Sequence, residues 1–298
     1  MKSGGMLKTV LILAVLCSSA LAENPSGGID THIHLYEPAG LDWLKPDNTR
    51  LNQPHHAERF KAVSAGTPIT WAVAVEAGTS LEHNEWMLEH AADKPVVAAV
   101  IGNLDLADPE TGDILERFAQ NPKFRGLRNR ARGKVDFSDE TVRKNIRWLE
   151  GRKMVLETGL DLHTRTDIVS IAQRYPDLTI IINHMAGGRL DTEKQPQGWW
   201  GPLVEELGEC PNVYCKLSMF DAVFQHNYSP DRLDALFNPI MDAFGPDRLL
   251  FGSNWPISPD YEGMYNLFAQ QLSSNTALMT RILVENPQKA YRLDLAGE

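Results

Sequence analysis

The stretch Ile29 to Leu35, Ile-Asp-Thr-His-Ile-His-Leu, alternates with the two-residue period of a strand. Read that way, Asp30, His32 and His34 share one face and Ile29, Thr31, Ile33 and Leu35 the other. Tyr36 to Pro54 has little periodicity and is rich in Pro, Asp, Asn and Trp, which predicts a long loop over the mouth of that strand. His55 and His56 open the next helical segment and are expected at the surface. From Ile69 onward, short β-branched runs alternate with amphipathic stretches. Strands are predicted at 69–76, 96–104, 124–129, 160–164, 178–184, 213–218 and 249–255. Helices are predicted at 81–92, 110–120, 139–151, 166–175, 202–208 and 230–244, with helical text to the end. Eight strands separated by helices call for a parallel sheet, and eight such units in about 250 residues have the size of a closed (β/α)8 TIM barrel. No Gly-rich turn follows the first strand, which argues against a doubly wound sheet. No linker or second domain is legible.

The N-terminus departs from this pattern. Lys2 and Lys8 precede the apolar run Val10 to Cys17, and Ser18-Ser19-Ala20-Leu21-Ala22 follows. These are the parts of an export signal with cleavage expected after Ala22, and the run is too short for a membrane span. The expected product is an exported, periplasmic or secreted chain of residues 23–298 with no membrane attachment. Removing residues 1–22 leaves 27 basic and 39 acidic residues, a net charge of −12 against −10 for the whole chain. A chain this acidic is a poor nucleic-acid binder. Its expected partner is a small-molecule substrate, with a homo-oligomer left open. Cys210 and Cys215 remain, five residues apart, with neither metal-finger nor disulfide spacing. At this length the apolar core alone can stabilise the fold.

In a (β/α)8 barrel, chemistry sits at the C-terminal ends of the strands. The polar residues there are therefore the candidates. His32 and His34, about 7 Å apart along an extended strand, form a common opening to a transition-metal site. The fourth strand ends in Arg128. The fifth, as predicted, carries Asp161 and His163 on one face. The sixth ends in His184, the seventh in Lys216-Leu217-Ser218, and the eighth in Asn254. Polar residues closing apolar strands are costly unless partnered, so several at one mouth point to a site.

These motifs carry a resemblance. Asp30-Thr-His-Ile-His34, Pro122-Lys-Phe-Arg-Gly-Leu-Arg128, Asn183-His-Met-Ala-Gly187, Asn212-Val-Tyr-Cys-Lys-Leu-Ser218, Arg248-Leu-Leu-Phe-Gly-Ser-Asn-Trp-Pro256 and Asn286-Pro287 to Tyr291 resemble the amidohydrolase superfamily. Within it they are similar to the branch of sugar-acid lactonases and pyrone-dicarboxylate lactonase, over about residues 29–293. The resemblance implies a (β/α)8 barrel. It also implies that His32, His34 and His184 bind one divalent ion, zinc being the expected one, or in metal-free lactonases hold the lactone carbonyl and water. Arg128 matches an arginine that grips a substrate carboxylate or hydroxyl, a task suited to its planar fork. Two-metal relatives carry a lysine at the end of the fourth strand, and none stands there.

One departure stands out. Many relatives end the eighth strand in Asp, where this chain has Asn254. A carboxamide cannot take a proton from water, although its oxygen can ligate an ion or orient the water. General-base help is worth about 10²–10⁴-fold, so another residue must supply it or hydrolysis is impaired. Asp161 and His163 are the nearest candidates, Glu76 is another, and Asp30 lies a layer too deep. The reading that follows is hydrolysis of a small sugar-acid or dicarboxylate lactone by activated water, with His184, Asn254, Asp161 and His163 in catalytic roles. A binding protein on an impaired enzyme scaffold ranks second, and a nonoxidative decarboxylase third.

Overall fold

The computed structural model describes residues 27–129, 135–159, 165–190, 195–220, 230–272 and 275–295. Its eight strands are β1 (Gly28–Ile33), β2 (Ile69–Val75), β3 (Val97–Gly102), β4 (Phe124–Asn129), β5 (Val155–Thr158), β6 (Thr179–Ile182), β7 (Val213–Ser218) and β8 (Leu249–Gly252). They form one parallel sheet in sequence order. The ring closes where Ile33 bridges Trp255, with His34 N–H donating to Trp255 O at 2.7 Å and Asn254 N–H to His32 O at 2.8 Å. Helices α1 (Ala57–Ser64), α2 (Leu81–Ala91), α3 (Thr111–Phe118), α4 (Glu140–Gly151), α5 (Arg165–Arg174), α6 (Trp200–Gly208), α7 (Pro230–Phe244) and α8 (Tyr261–Leu272) follow the strands as crossovers. A helical segment, 276–291, ends the chain. This is the (β/α)8 barrel the alternation calls for. Among the described residues no helix is long and apolar enough to cross a membrane.

The core has two layers. Ile29, Val73, Ile101, Val155, Ile181 and Leu250 pack inside the barrel, and a larger cluster lies between strands and helices. The first strand does not alternate as predicted. Asp30 and Ile33 are three positions apart, while their β2 partners Ala72 and Ala74 are two apart. That extra residue is a β-bulge, and it reverses the facing of everything before it. Ile29 therefore points into the barrel, whereas Ile33 and Leu35 pack outward. Asp30 holds the bulge: its Oδ1 accepts from His32 N–H and from Ser253 N–H, each at 3.0 Å. Burial raises its carboxyl to about 6 despite hydrogen bonds that include Ser253 and Tyr261. It serves the backbone and does not line the mouth.

The fifth strand also corrects the sequence reading. It lies at Val155–Thr158, not at 160–164, which is outside the described residues together with Asp161 and His163. Glu157 in the middle of the true strand disguised it. The carboxylate is fully buried and held by Lys216 Nζ at 2.7 Å and Tyr291 O–H at 2.6 Å. Cys210 and Cys215 are free and buried.

The loop after β1 does cover the mouth. Trp43 Nε1–H donates to Ala77 O at 2.7 Å, and the Arg50 guanidinium reaches the carbonyls of Pro256 and Ile257 across the barrel. His55 is not at the surface. It is buried against Tyr36 and Trp255, with Nε2 3.1 Å from Arg50 O. Backbone pairing with Tyr36 draws it in, at 2.9 and 3.0 Å.

Burial pushes the His55 imidazole from 6.5 down to about 4. Between those values the unfolded chain binds a proton that the folded chain refuses, so stability falls as pH drops through that window. Replacing His55 with Gln should flatten the dependence of the urea midpoint on pH between about 4 and 6.5. An unchanged slope would show that His55 is not the group responsible.

Candidate active site

The strands end in backbone that side chains rarely adopt. His184, Met185, Ala186, Met219 and Asn254 all have φ between +51 and +62°. Such left-handed residues cost free energy and concentrate where a site over-determines them. Here they turn β6, β7 and β8 sharply, and His184, Met219 and Asn254 line one cavity. That cavity, about 340 Å³, is also lined by His34, Trp43, Ala77, Arg128, Gly159 and Ile257. The segment 195–200 contributes Pro196, Gln197, Gly198 and Trp200 to a different cavity against α6 and α7.

The bulge returns both His32 and His34 to the barrel side, where His34 lines the cavity and His32 is buried beside it. Their rings meet edge to face at 5.0 Å, and His32 lies 4.6 Å from the His184 ring. Close approach requires glycine on the facing strand: a Cβ at Gly252 would stand 2.6 Å from His32 Cβ. Each ring is oriented by its other nitrogen. His34 Nδ1 donates towards Val75 O and Glu76 O, both at 3.0 Å, so the neutral ring keeps its lone pair on Nε2. His32 Nδ1 faces Asn183 Oδ1 at 3.2 Å, and its buried Nε2 makes no hydrogen bond. His184 Nδ1 is engaged by Ser218 Oγ at 2.9 Å, and the same hydroxyl accepts the His184 N–H at 3.2 Å.

Burial first, and then neighbouring positive charge, holds His32 and His184 well below the usual imidazole range. For His32 the leading charge is Lys216, and for His184 it is Arg128. Both rings are therefore held neutral and suited to ligation. Arg128 is nearly buried, and its guanidinium lies 3.4 Å from buried Glu76 Oε1. Asn103 holds the backbone of Arg128 through its own amide at 3.0 Å.

The donor set suits a divalent cation. His34 Nε2, a lone-pair nitrogen, faces Asn254 Oδ1 at 3.2 Å. Two acceptors at that separation match neighbouring ligands on one small ion, about 3.4 Å apart in a tetrahedral shell. His32 Nε2, buried and without a hydrogen bond, is a third donor in the tautomer whose Nδ1–H goes to Asn183 Oδ1. The three histidines are more open as a set: no choice of one nitrogen from each brings all three within 4.8 Å.

Sequence reasoning singled out His32, His34, Arg128, His184 and Asn254, and the structure places them near one another. It missed the roles of Asn183, Glu157 and Lys216. Asn183 was visible as a polar stop to Ile180-Ile181-Ile182, but Glu157 lay outside any predicted strand.

A sequence model of the Amidohydrolase family matches residues 29–293. The chain belongs to that family. This amidohydrolase is 27% identical over 238 residues to L-fucono-1,5-lactonase of Burkholderia ambifaria, covering 77% of this chain and 80% of that one. It is 23% identical over 282 residues to 4-sulfomuconolactone hydrolase of Rhizobium radiobacter, covering 90% of each. Both relatives are named for lactones, in line with the branch the motifs resemble. Among solved structures, an amidohydrolase from Burkholderia multivorans with bound zinc superimposes with a TM-score of 0.81 at 22% identity, covering 90% of this chain and all of that one.

Proposed function

We propose that this amidohydrolase hydrolyses a lactone of a small sugar acid or dicarboxylate. The observation that carries the reading is one cavity joining the Arg128 guanidinium to His34, His184 and Asn254. Water adds to the lactone carbonyl, the ring C–O bond breaks, and the hydroxy acid leaves. The lactonase names of the sequence relatives support this class of substrate. The neighbouring charges of Arg128 and Lys216 suit a reaction that develops negative charge on oxygen.

His32 Nε2, His34 Nε2 and Asn254 Oδ1 would hold a divalent ion, zinc being the expected one. When bound, it supplies Lewis acidity and brings the pKa of water towards about 7. His184 has only Nε2 left after Ser218 takes Nδ1, so it cannot both ligate and accept a proton. With three other ligands available, we assign it the proton of the attacking water. None of the described residues lining the cavity is a carboxylate. Asp161 and His163, which follow cavity-lining Gly159 in the chain, are the alternative bases. Asn254 orients the water without taking its proton, and Arg128 grips the substrate's carboxylate or hydroxyls.

A pH-indicator assay over a panel of sugar lactones and dicarboxylate lactones tests this directly. The wild type is expected to turn over at least one of them, with Asn254→Asp changing its rate by less than about tenfold. A wild type at background with Asn254→Asp raising turnover by the 10²–10⁴-fold worth of a general base would instead mean an impaired scaffold that binds. Arg128→Lys keeps the charge beside Glu76 but loses the bidentate fork. It should raise KM about tenfold with kcat little changed, the size of one lost charge-assisted hydrogen bond. An unchanged KM would remove Arg128 from substrate binding.

A further inference from the structure

Outside the barrel mouth, the ends of α1 and α2 bring together His56, Glu58 and His90. Each offers one donor atom, and all three atoms lie within 4.8 Å of one another. No other set of three His, Cys, Asp or Glu among the described residues is this tight, the barrel histidines included. We propose that His56, Glu58 and His90 form a second, outer binding site for a zinc-class divalent ion.

The geometry is prepared for ligation in three ways. His56 Nε2 is held at 2.6 Å by Glu37 Oε1, the carboxylate–imidazole pairing that fixes a metal-binding ring and leaves the lone pair on Nδ1. His90 lies flat on Trp86, 4.8 Å between centroids and 11° between planes, and 4.8 Å from the His56 ring. It also stands in the last turn of α2, where the helix dipole favours positive charge. Two imidazoles and a carboxylate, with water completing the shell, are a zinc donor set.

Two groups compete with the ion. Ala57 N–H, on a buried residue at the start of α1, donates to His90 Nε2 at 3.2 Å, and an ion on that nitrogen must displace it. Lys94 Nζ lies 2.9 Å from Glu58 Oε1, in an ion pair whose Glu58 side chain is 64% exposed. Exposed pairs of this kind contribute little to stability, so the ammonium is readily exchanged for a divalent ion. Ligands on one tetrahedral zinc stand about 3.4 Å apart; rotation of exposed Glu58 can bring its carboxylate in, while any remaining gap between the two imidazoles must close on binding.

The position gives the site a consequence. Glu37 and His56 flank the Tyr36–His55 backbone pairing at the base of the loop that carries Trp43 over the cavity. An ion here would staple that base to α2. The proposal does not depend on lactone hydrolysis, and its test does not read it.

Equilibrium dialysis of the full chain against Zn²⁺ alone, followed by metal analysis, is expected to show one fewer zinc per chain in His56→Gln/His90→Gln than in wild type. Thermal unfolding should show a zinc-dependent rise in Tm that is smaller in the double variant, because an ion bound only to the folded state stabilises it. Glu37→Gln leaves the three ligands in place and should weaken the outer equivalent about 10–100-fold. It keeps the test decisive if the double variant fails to fold. Equal zinc content in wild type and the double variant, or unaltered affinity in Glu37→Gln, would overturn the site.

Discussion

Replacing His34 with Gln is expected to lower kcat/KM for the best lactone by about 10³-fold, roughly 4 kcal/mol of transition-state stabilisation. The fold should survive. Gln can still donate an amide N–H towards Val75 O and Glu76 O, the two carbonyls that orient the imidazole at 3.0 Å. It cannot at the same time keep a lone pair directed at Asn254 Oδ1, 3.2 Å from His34 Nε2. His34→Gln therefore removes one member of the proposed ligand pair. Zinc content should fall with activity, while the circular dichroism melt stays close to wild type. Activity within tenfold of wild type would sink the mechanism, whatever the metal content.

The fold was legible because both faces of a parallel barrel strand are buried, which writes runs such as Thr179-Ile-Ile-Ile182. The rim was legible for a related reason. An apolar run that stops at His184 or Asn254 advertises a polar residue with a task. Two features hid from that logic. The bulge after Asp30 adds no residue type a pattern would flag, yet it moves Ile29 inward and leaves Asp30 bonding backbone. Glu157 broke the apolar pattern of β5, and only the long-range partners Lys216 and Tyr291 explain it. His55 failed in the same way, since its burial comes from Tyr36 and Trp255, far from it in the chain. Sequence periodicity reads a residue's own strand or helix; it does not read which charge or ring waits across the barrel.

That hidden network predicts the largest loss of stability. Lys216→Met is expected to destabilise the protein by about 3–5 kcal/mol, the cost of leaving a buried charge without its partner. Lys216 and Glu157 are both fully buried and 2.7 Å apart. Burial lowers the Lys216 ammonium to about 8, with Glu157 opposing the fall. Methionine matches the stem of lysine but leaves the Glu157 carboxylate with Tyr291 O–H alone, at 2.6 Å. The double variant Lys216→Met/Glu157→Gln removes the stranded charge while keeping an acceptor for Tyr291. It should therefore recover most of the loss, because a buried ion pair replaced as a unit is often close to neutral. Urea denaturation of the wild type, both single variants and the double variant reads this as a coupling energy. Additive losses would mean that the two groups do not act as a pair. The location matters for the site as well: Lys216 Nζ stands 3.3 Å from His32 Nδ1. A rescued double variant that folds but loses lactone turnover would separate the pair's structural role from its positive field beneath the imidazoles.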